Sequence, residues 1–156
     1  MLNIGSSAPD FTLVDTKLTP RSLGEFAGRT LVIAFYPGAF TSVCTKEMCA
    51  FRDSMARFNE MNAQVVGISV DGPFANAEFA AKHLLNFPLL SDYDRSATRA
   101  YGVELKDFAG LKGYTAAQRS VFVLDGNGVI RYAWIAENPS LEPDYEAIRR
   151  VVTELT

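Results

Sequence analysis

Cys44 and Cys49 are the only two cysteines of this chain, and Cys44 follows an apolar run, Leu31-Val32-Ile33-Ala34-Phe35-Tyr36, that carries no charge. Such a β-rich run is what a strand buried on both faces of a sheet requires. Pro37 and Gly38 break it, and Thr41 or Ser42 can cap the helix that follows, which puts Cys44 at a helix start. The partial positive charge of a helix N-terminus favours a thiolate, the reactive form of cysteine. A cysteine can equally be a small core residue. The turn, the helix start and the nearby second thiol favour chemistry over packing.

At about 100° per residue, Cys44, Met48, Phe51, Met55 and Phe58 fall on one stripe, so Cys44 begins the buried face of its helix. Cys49 points more than a quarter-turn away, towards Thr45, Lys46 and Asp53. Positions five apart on an ideal helix lie about 8.6 Å apart at Cα, beyond the roughly 7 Å a disulfide tolerates. A bridge between the two cysteines therefore requires the first helical turn to unwind. An ordinary thiol titrates near ~8.5, and lowering that by about two units takes about 2.7 kcal/mol. A helix N-terminus contributes only about 0.3 to 2 kcal/mol, so a cation is needed as well. Lys46 is too mobile and Arg52 lies two turns down the helix. Arg119 is the strongest candidate, because it immediately precedes a strand whose end can face the same edge as the cysteine turn.

The elements that must position these residues follow from periodicity. Phe11–Asp15 alternates like a strand, Pro20–Phe26 reads as a turn or short helical piece, and 31–36 is the first buried strand. A helix to about residue 61 leads to a second buried strand over 64–70, which makes a βαβ unit. Ala75–Leu85 reads as a helix opened by Pro73, Phe87–Leu90 is short and apolar, and Ser96–Tyr101 suits a brief helix. Asp125-Gly126-Asn127-Gly128 joins strands 120–124 and 129–135 as a hairpin. Asp144–Leu155 is amphipathic, with Tyr145, Ile148, Val152 and Leu155 on one face. Together these predict an α/β domain spanning residues 1–156, a mixed central sheet flanked by helices.

The chain has 156 residues, 48% of them apolar, and a net charge of −3. Its basic residues are scattered except for Arg149-Arg150, which gives no footprint for nucleic acid. No stretch is long and apolar enough to span a bilayer and the N-terminus lacks a signal-like pattern, so the expectation is a soluble, cytoplasmic protein. The single histidine, His83, reads as an ordinary polar residue on a helix, and the chain lacks the ligand spacing of a zinc site. No metal or cofactor is expected.

In the spacing P-x-x-x-T-x-x-C, Pro37, Thr41 and Cys44 resemble the active-site signature of the peroxiredoxins. Similarity extends to Ala8-Pro9-Asp10-Phe11, Phe87-Pro88-Leu89-Leu90-Ser91-Asp92, Ala100-Tyr101-Gly102-Val103 and Arg119–Asp125. The resemblance implies a thioredoxin-like fold and a thiol peroxidase acting on hydrogen peroxide and organic hydroperoxides. It implies that Cys44 attacks the peroxide and becomes a sulfenic acid, that Thr41 orients the peroxide, that Pro37 shields the thiolate from water, and that Arg119 fixes thiolate and substrate. The Val43 and Cys44 amides are additional donors. Glu47 is either similar to a residue that orients the arginine or an exposed carboxylate complementing the helix dipole. Phe40 and Tyr36 either wall the pocket or are plain core.

Cys49, in the spacing C-x-x-x-x-C, resembles the resolving cysteine of the Q-type, or bacterioferritin-comigratory, branch. This implies an intramolecular disulfide reduced by thioredoxin or a similar dithiol protein. Many members of that branch carry a glycine where this chain has Val43, and Tyr36-Pro37-Gly38-Ala39-Phe40-Thr41 also resembles the one-cysteine, E-type branch. Two alternatives stay open: a one-cysteine peroxidase recycled by an external thiol, and a redox sensor or thiol-dependent chaperone using the same cysteines. A monomer and a homodimer are both compatible with the chain, and the absence of C-x-x-C disfavours a dithiol oxidoreductase.

Overall fold

A computed structural model describes residues 2–156. Seven strands form one mixed sheet: β1 (Thr12–Val14), β2 (Pro20–Ser22), β3 (Thr30–Phe35), β4 (Ala63–Ser69), β5 (Leu89–Ser91), and a pair from the C-terminal part, Ser120–Leu124 and Ile130–Ile135. A small separate hairpin joins Glu104–Leu105 to Ala116–Ala117. In chain order these last four strands are β6 (Glu104–Leu105), β7 (Ala116–Ala117), β8 (Ser120–Leu124) and β9 (Ile130–Ile135). The helices are α1 (Ser42–Glu60), α2 (Pro73–Lys82), α3 (Ser96–Ala100) and α4 (Tyr145–Leu155).

The large sheet runs β2-β1-β5-β4-β3-β8-β9. β3 pairs in parallel with β4, and β4 with β5, so β3-α1-β4 is the expected βαβ unit. β8 lies antiparallel on the other side of β3, and β9 antiparallel to β8. All six residues of β3 are buried, as its charge-free sequence requires. Alternate side chains then enter two cores. Val32 and Ala34 join Cys44, Met48, Phe51, Met55, Phe58, Phe79, Ile148 and Val152 on one face. Leu31, Ile33 and Phe35 join Phe11, Leu13, Ala97, Tyr101 and Phe122 on the other. The architecture is the mixed, helix-flanked sheet that the periodicity predicts, and it agrees with the thioredoxin-like fold that the resemblance implies.

Several local readings change. Pro20–Ser22 is a strand paired antiparallel with β1, and only Leu23–Phe26 is helical, a 3₁₀ turn. α2 begins at Pro73 and ends at Lys82, with His83 as its C-terminal cap. In the hairpin only Gly128 takes a positive φ, 75°, while Asp125 accepts the amides of Asn127 and Val129. Asp144 caps α4 by accepting the Ala147 amide at 3.1 Å. Among the described residues, no helix is long and apolar enough to cross a membrane, and no group of His, Cys, Asp and Glu is arranged to hold a metal ion.

Candidate active site

The end of β3 delivers the chain to the site. Tyr36, Pro37 and Gly38 are buried, the chain turns at Phe40, whose φ is 67°, and α1 starts at Ser42. Thr41 occupies the helix-capping position but makes no side-chain cap; its hydroxyl donates instead to the Gly38 carbonyl at 2.9 Å. That hydroxyl oxygen keeps lone pairs free to accept a further donor. The Thr41 carbonyl accepts from the Thr45 amide and the Thr45 hydroxyl, both at 2.9 Å, which ties the turn to the helix.

Cys44 is fully buried and heads the apolar stripe through Met48, Phe51, Met55 and Phe58. Its sulfur accepts from Arg119 Nη2 at 3.1 Å. Arg119, 2% exposed, comes from the residue just before β8, which pairs Ser120 opposite Phe35 at the C-terminal end of β3. This antiparallel register brings the arginine to the edge where the cysteine turn begins. Arg119 Nη1 donates to Glu47 Oε1 at 2.9 Å, and Nε and Nη2 both donate to the Pro139 carbonyl, at 3.3 and 3.0 Å.

Glu47 is not an exposed dipole partner: it is completely buried, one turn from Cys44 on the same side of α1. Burial raises the Glu47 carboxyl to about 8, against the lowering pull of Arg119. Its second oxygen, Oε2, has no protein donor. Burial alone would lower the Arg119 pKa, but Glu47 and the Cys44 sulfur outweigh it and the net direction is up. The guanidinium is thus a fixed cation in a low-dielectric setting, where its effect on a developing negative charge is larger than in water.

The two aromatic candidates separate. Tyr36 is fully buried, with its hydroxyl donating to Asn76 Oδ1 at 2.7 Å, so it is core anchored away from solvent. Phe40 is 46% exposed and lies edge-on against Phe79, with ring centroids 5.2 Å apart, and within 6.4 Å of His83. His83 therefore packs under the turn's aromatic residue. Val43 is half-buried within the first turn of α1. Cys49 is partly exposed, belongs to neither core, and is a free thiol in the same unbroken helix as Cys44.

Two parts of the site had no signature in the sequence. Pro139 acts through its carbonyl, a group every residue type possesses. Asp71 receives the Ala39 amide of the turn at 2.8 Å; a serine and an aspartate at the end of a buried strand were the available cue. A cavity of about 450 Å³ is bordered by Ala8, Phe26, Leu31, Leu124 and Gly126, and includes none of the residues around Cys44.

Residues 4–133 match the AhpC/TSA family. A curated relative, "Peroxiredoxin Q, chloroplastic" from Oryza sativa subsp. japonica, is 41% identical over 140 residues, covering 90% of this chain and 61% of that protein. A second, of the same name from Sedum lineare, is also 41% identical, over 90% of this chain and 71% of its own length. The chain thus spans about three fifths of the length of the first of these relatives. Among solved structures, peroxidoxin BcpB from Mycobacterium tuberculosis superposes with a TM-score of 0.85 at 34% identity, covering 98% of this chain and 96% of that one. Peroxiredoxin Q from Xanthomonas campestris gives a TM-score of 0.77 at 31% identity, covering 93% and 89%.

Proposed function

Because the chain belongs to the AhpC/TSA family, we propose that it is a thiol-dependent peroxidase that uses Cys44 as nucleophile and Cys49 as resolving thiol. The observation that carries this reading is the buried contact of Arg119 Nη2 with the Cys44 sulfur at 3.1 Å. The Cys44 thiolate attacks the distal oxygen of a hydroperoxide; an S–O bond forms as the O–O bond breaks, and the departing alkoxide or hydroxide takes up a proton. Sulfur is oxidised by two electrons to sulfenic acid. Arg119 holds the attacking sulfur and faces the charge that develops on the oxygens, while the Thr41 hydroxyl oxygen is available to accept the peroxide O–H. Buried Pro37 contributes no N–H and keeps water from the sulfur. The Val43 and Cys44 amides, at the open start of α1, are further donors.

In the second step the Cys49 sulfur attacks the Cys44 sulfur. The S–S bond forms, hydroxide leaves and becomes water with the proton from Cys49, and a thioredoxin-like dithiol then restores both thiols while becoming a disulfide itself. The C-x-x-x-x-C spacing and the peroxiredoxin Q relatives support this two-cysteine cycle. With both cysteines in a continuous helix, unwinding of the first turn of α1 belongs to the step.

Intact-mass analysis after one equivalent of hydrogen peroxide tests the cycle: loss of two hydrogens in wild type is the expected result. A stable gain of one oxygen would overturn it in favour of recycling by an external thiol. Cys44→Ser is expected to fold and to consume no peroxide; retained consumption would overturn the assignment of the nucleophile. Sustained peroxide consumption with a thioredoxin system is the expected result against a sensor or chaperone role.

A further inference from the structure

The turn that carries Gly38 and Thr41 is held by a group outside the cysteine signature. Asp71, in the connection from β4 to α2, accepts the Ala39 amide through Oδ2 at 2.8 Å. The same oxygen accepts the Ser69 hydroxyl at 2.8 Å, and Ser69 Oγ accepts the Asp71 amide and Asn76 Nδ2, each at 3.2 Å. Asn76, fully buried, also donates to Ser91 Oγ at 3.1 Å and accepts the Tyr36 hydroxyl at 2.7 Å. One connected network therefore joins β4, α2 and β5 to both ends of the segment from Tyr36 to Ala39. Hydrogen bonds to a carboxylate are stronger than neutral ones, and a satisfied buried network restricts its members to one arrangement.

The adjoining residues depend on that clamp. Phe40 holds a left-handed φ of 67°, a conformation costly for a residue with a Cβ, and Thr41 donates back to the Gly38 carbonyl. The sulfur's own partners lie elsewhere: Arg119 before β8, supported by Glu47 of α1 and by Pro139 after β9. The turn and the Cys44–Arg119 pair are thus supported by separate parts of the fold.

We propose that Asp71 is a positioning residue for peroxide reduction, fixing the Gly38–Thr41 turn against Cys44 without acting on the Cys44–Arg119 pair. The inference rests on the peroxidase reading. Misplacing a reacting group by about 1 Å costs up to about a hundredfold in rate; removing one of the turn's anchors is expected to cost about tenfold.

The test is the second-order rate constant for oxidation of Cys44 by hydrogen peroxide, measured across pH in wild type, Asp71→Ala and Asp71→Asn. Asp71→Ala is expected to react about tenfold more slowly at every pH, with the midpoint of its rate–pH profile and its ultraviolet thiolate titration where they are in wild type. Asp71→Asn, which keeps an acceptor oxygen, is expected to recover most of the rate. A wild-type rate in Asp71→Ala, a displaced midpoint, or an equal loss in Asp71→Asn would each overturn the proposal. Should Asp71→Ala fail to fold, Asp71→Ser, too short to reach Ala39, carries the same comparison. If wild type itself consumes no peroxide, the peroxidase reading falls; if wild type reacts and Asp71→Ala matches it, this inference alone falls.

Discussion

Arg119 directs its donors at three acceptors of different kinds: the Cys44 sulfur, the Glu47 carboxyl and the Pro139 carbonyl. A planar guanidinium held in this way has little freedom to turn, which a lysine could not reproduce. Arg119→Ala is expected to move the rate–pH profile of Cys44 oxidation to higher pH, and to destabilise the fold by about 1 to 3 kcal/mol because the buried Glu47 carboxyl and Pro139 carbonyl lose their donor. Stopped-flow oxidation and urea unfolding check the two effects. Glu47 makes a separate statement about pH. Its folded carboxyl titrates near 8 against a usual 4.5, so the native state retains a proton that the unfolded chain releases. Stability is therefore greatest below about pH 4.5 on account of this group, and falls as pH rises towards 8. Glu47→Gln is expected to remove that part of the slope, measured by urea unfolding at a series of pH values. The burial of Glu47 was legible: at about 100° per residue it lies about 60° from Cys44, within the buried side of the helix. Its charge argued for exposure, and only the arrival of Arg119 from a distant strand resolves the conflict.

At the scale of elements, β3-α1-β4 is the frame of the site. Gly67, in the middle of β4, lets this frame close: a Cβ there would meet Leu89 Cδ2 at 2.7 Å, Tyr36 Cε1 at 3.2 Å and Met48 Sδ at 3.4 Å. Gly67→Ala is expected to destabilise the protein by about 1 to 3 kcal/mol through overpacking, read as a lowered urea midpoint. Long elements with a clear period were readable from sequence, including β3, β4, α1, the β8–β9 hairpin and α4. The two-residue strands β6 and β7 and the edge strand Pro20–Ser22 were not, because so few residues carry no period and their pairing partners decide them. The turn before α1 was readable as a break. Its anchoring by Asp71 was not, since that contact depends on how the end of β4 lies beside the end of β3.

Across the whole molecule, the core on the Cys44 face continues into α4. Ile148 and Val152 are fully buried in the same cluster as Cys44 and Met48, and Tyr145 lies 5.7 Å from Phe51 in an edge-on pair. Ile148→Ala is expected to lower stability by about 2 to 5 kcal/mol while leaving the peroxide rate of the folded protein unchanged. Unfolding and stopped-flow measurements on the same variant separate the two effects. The position of Pro139 has another bearing. The family match ends at residue 133, whereas the carbonyl that receives two N–H groups of Arg119 comes six residues later. A fragment or fusion trimmed to the matched stretch would retain Pro37, Thr41, Cys44, Glu47 and Arg119, yet it would lose that acceptor of the arginine together with α4. A shortened chain or a transplanted site therefore needs, besides the core supplied by α4, a peptide carbonyl that leaves no mark in the alphabet of side chains.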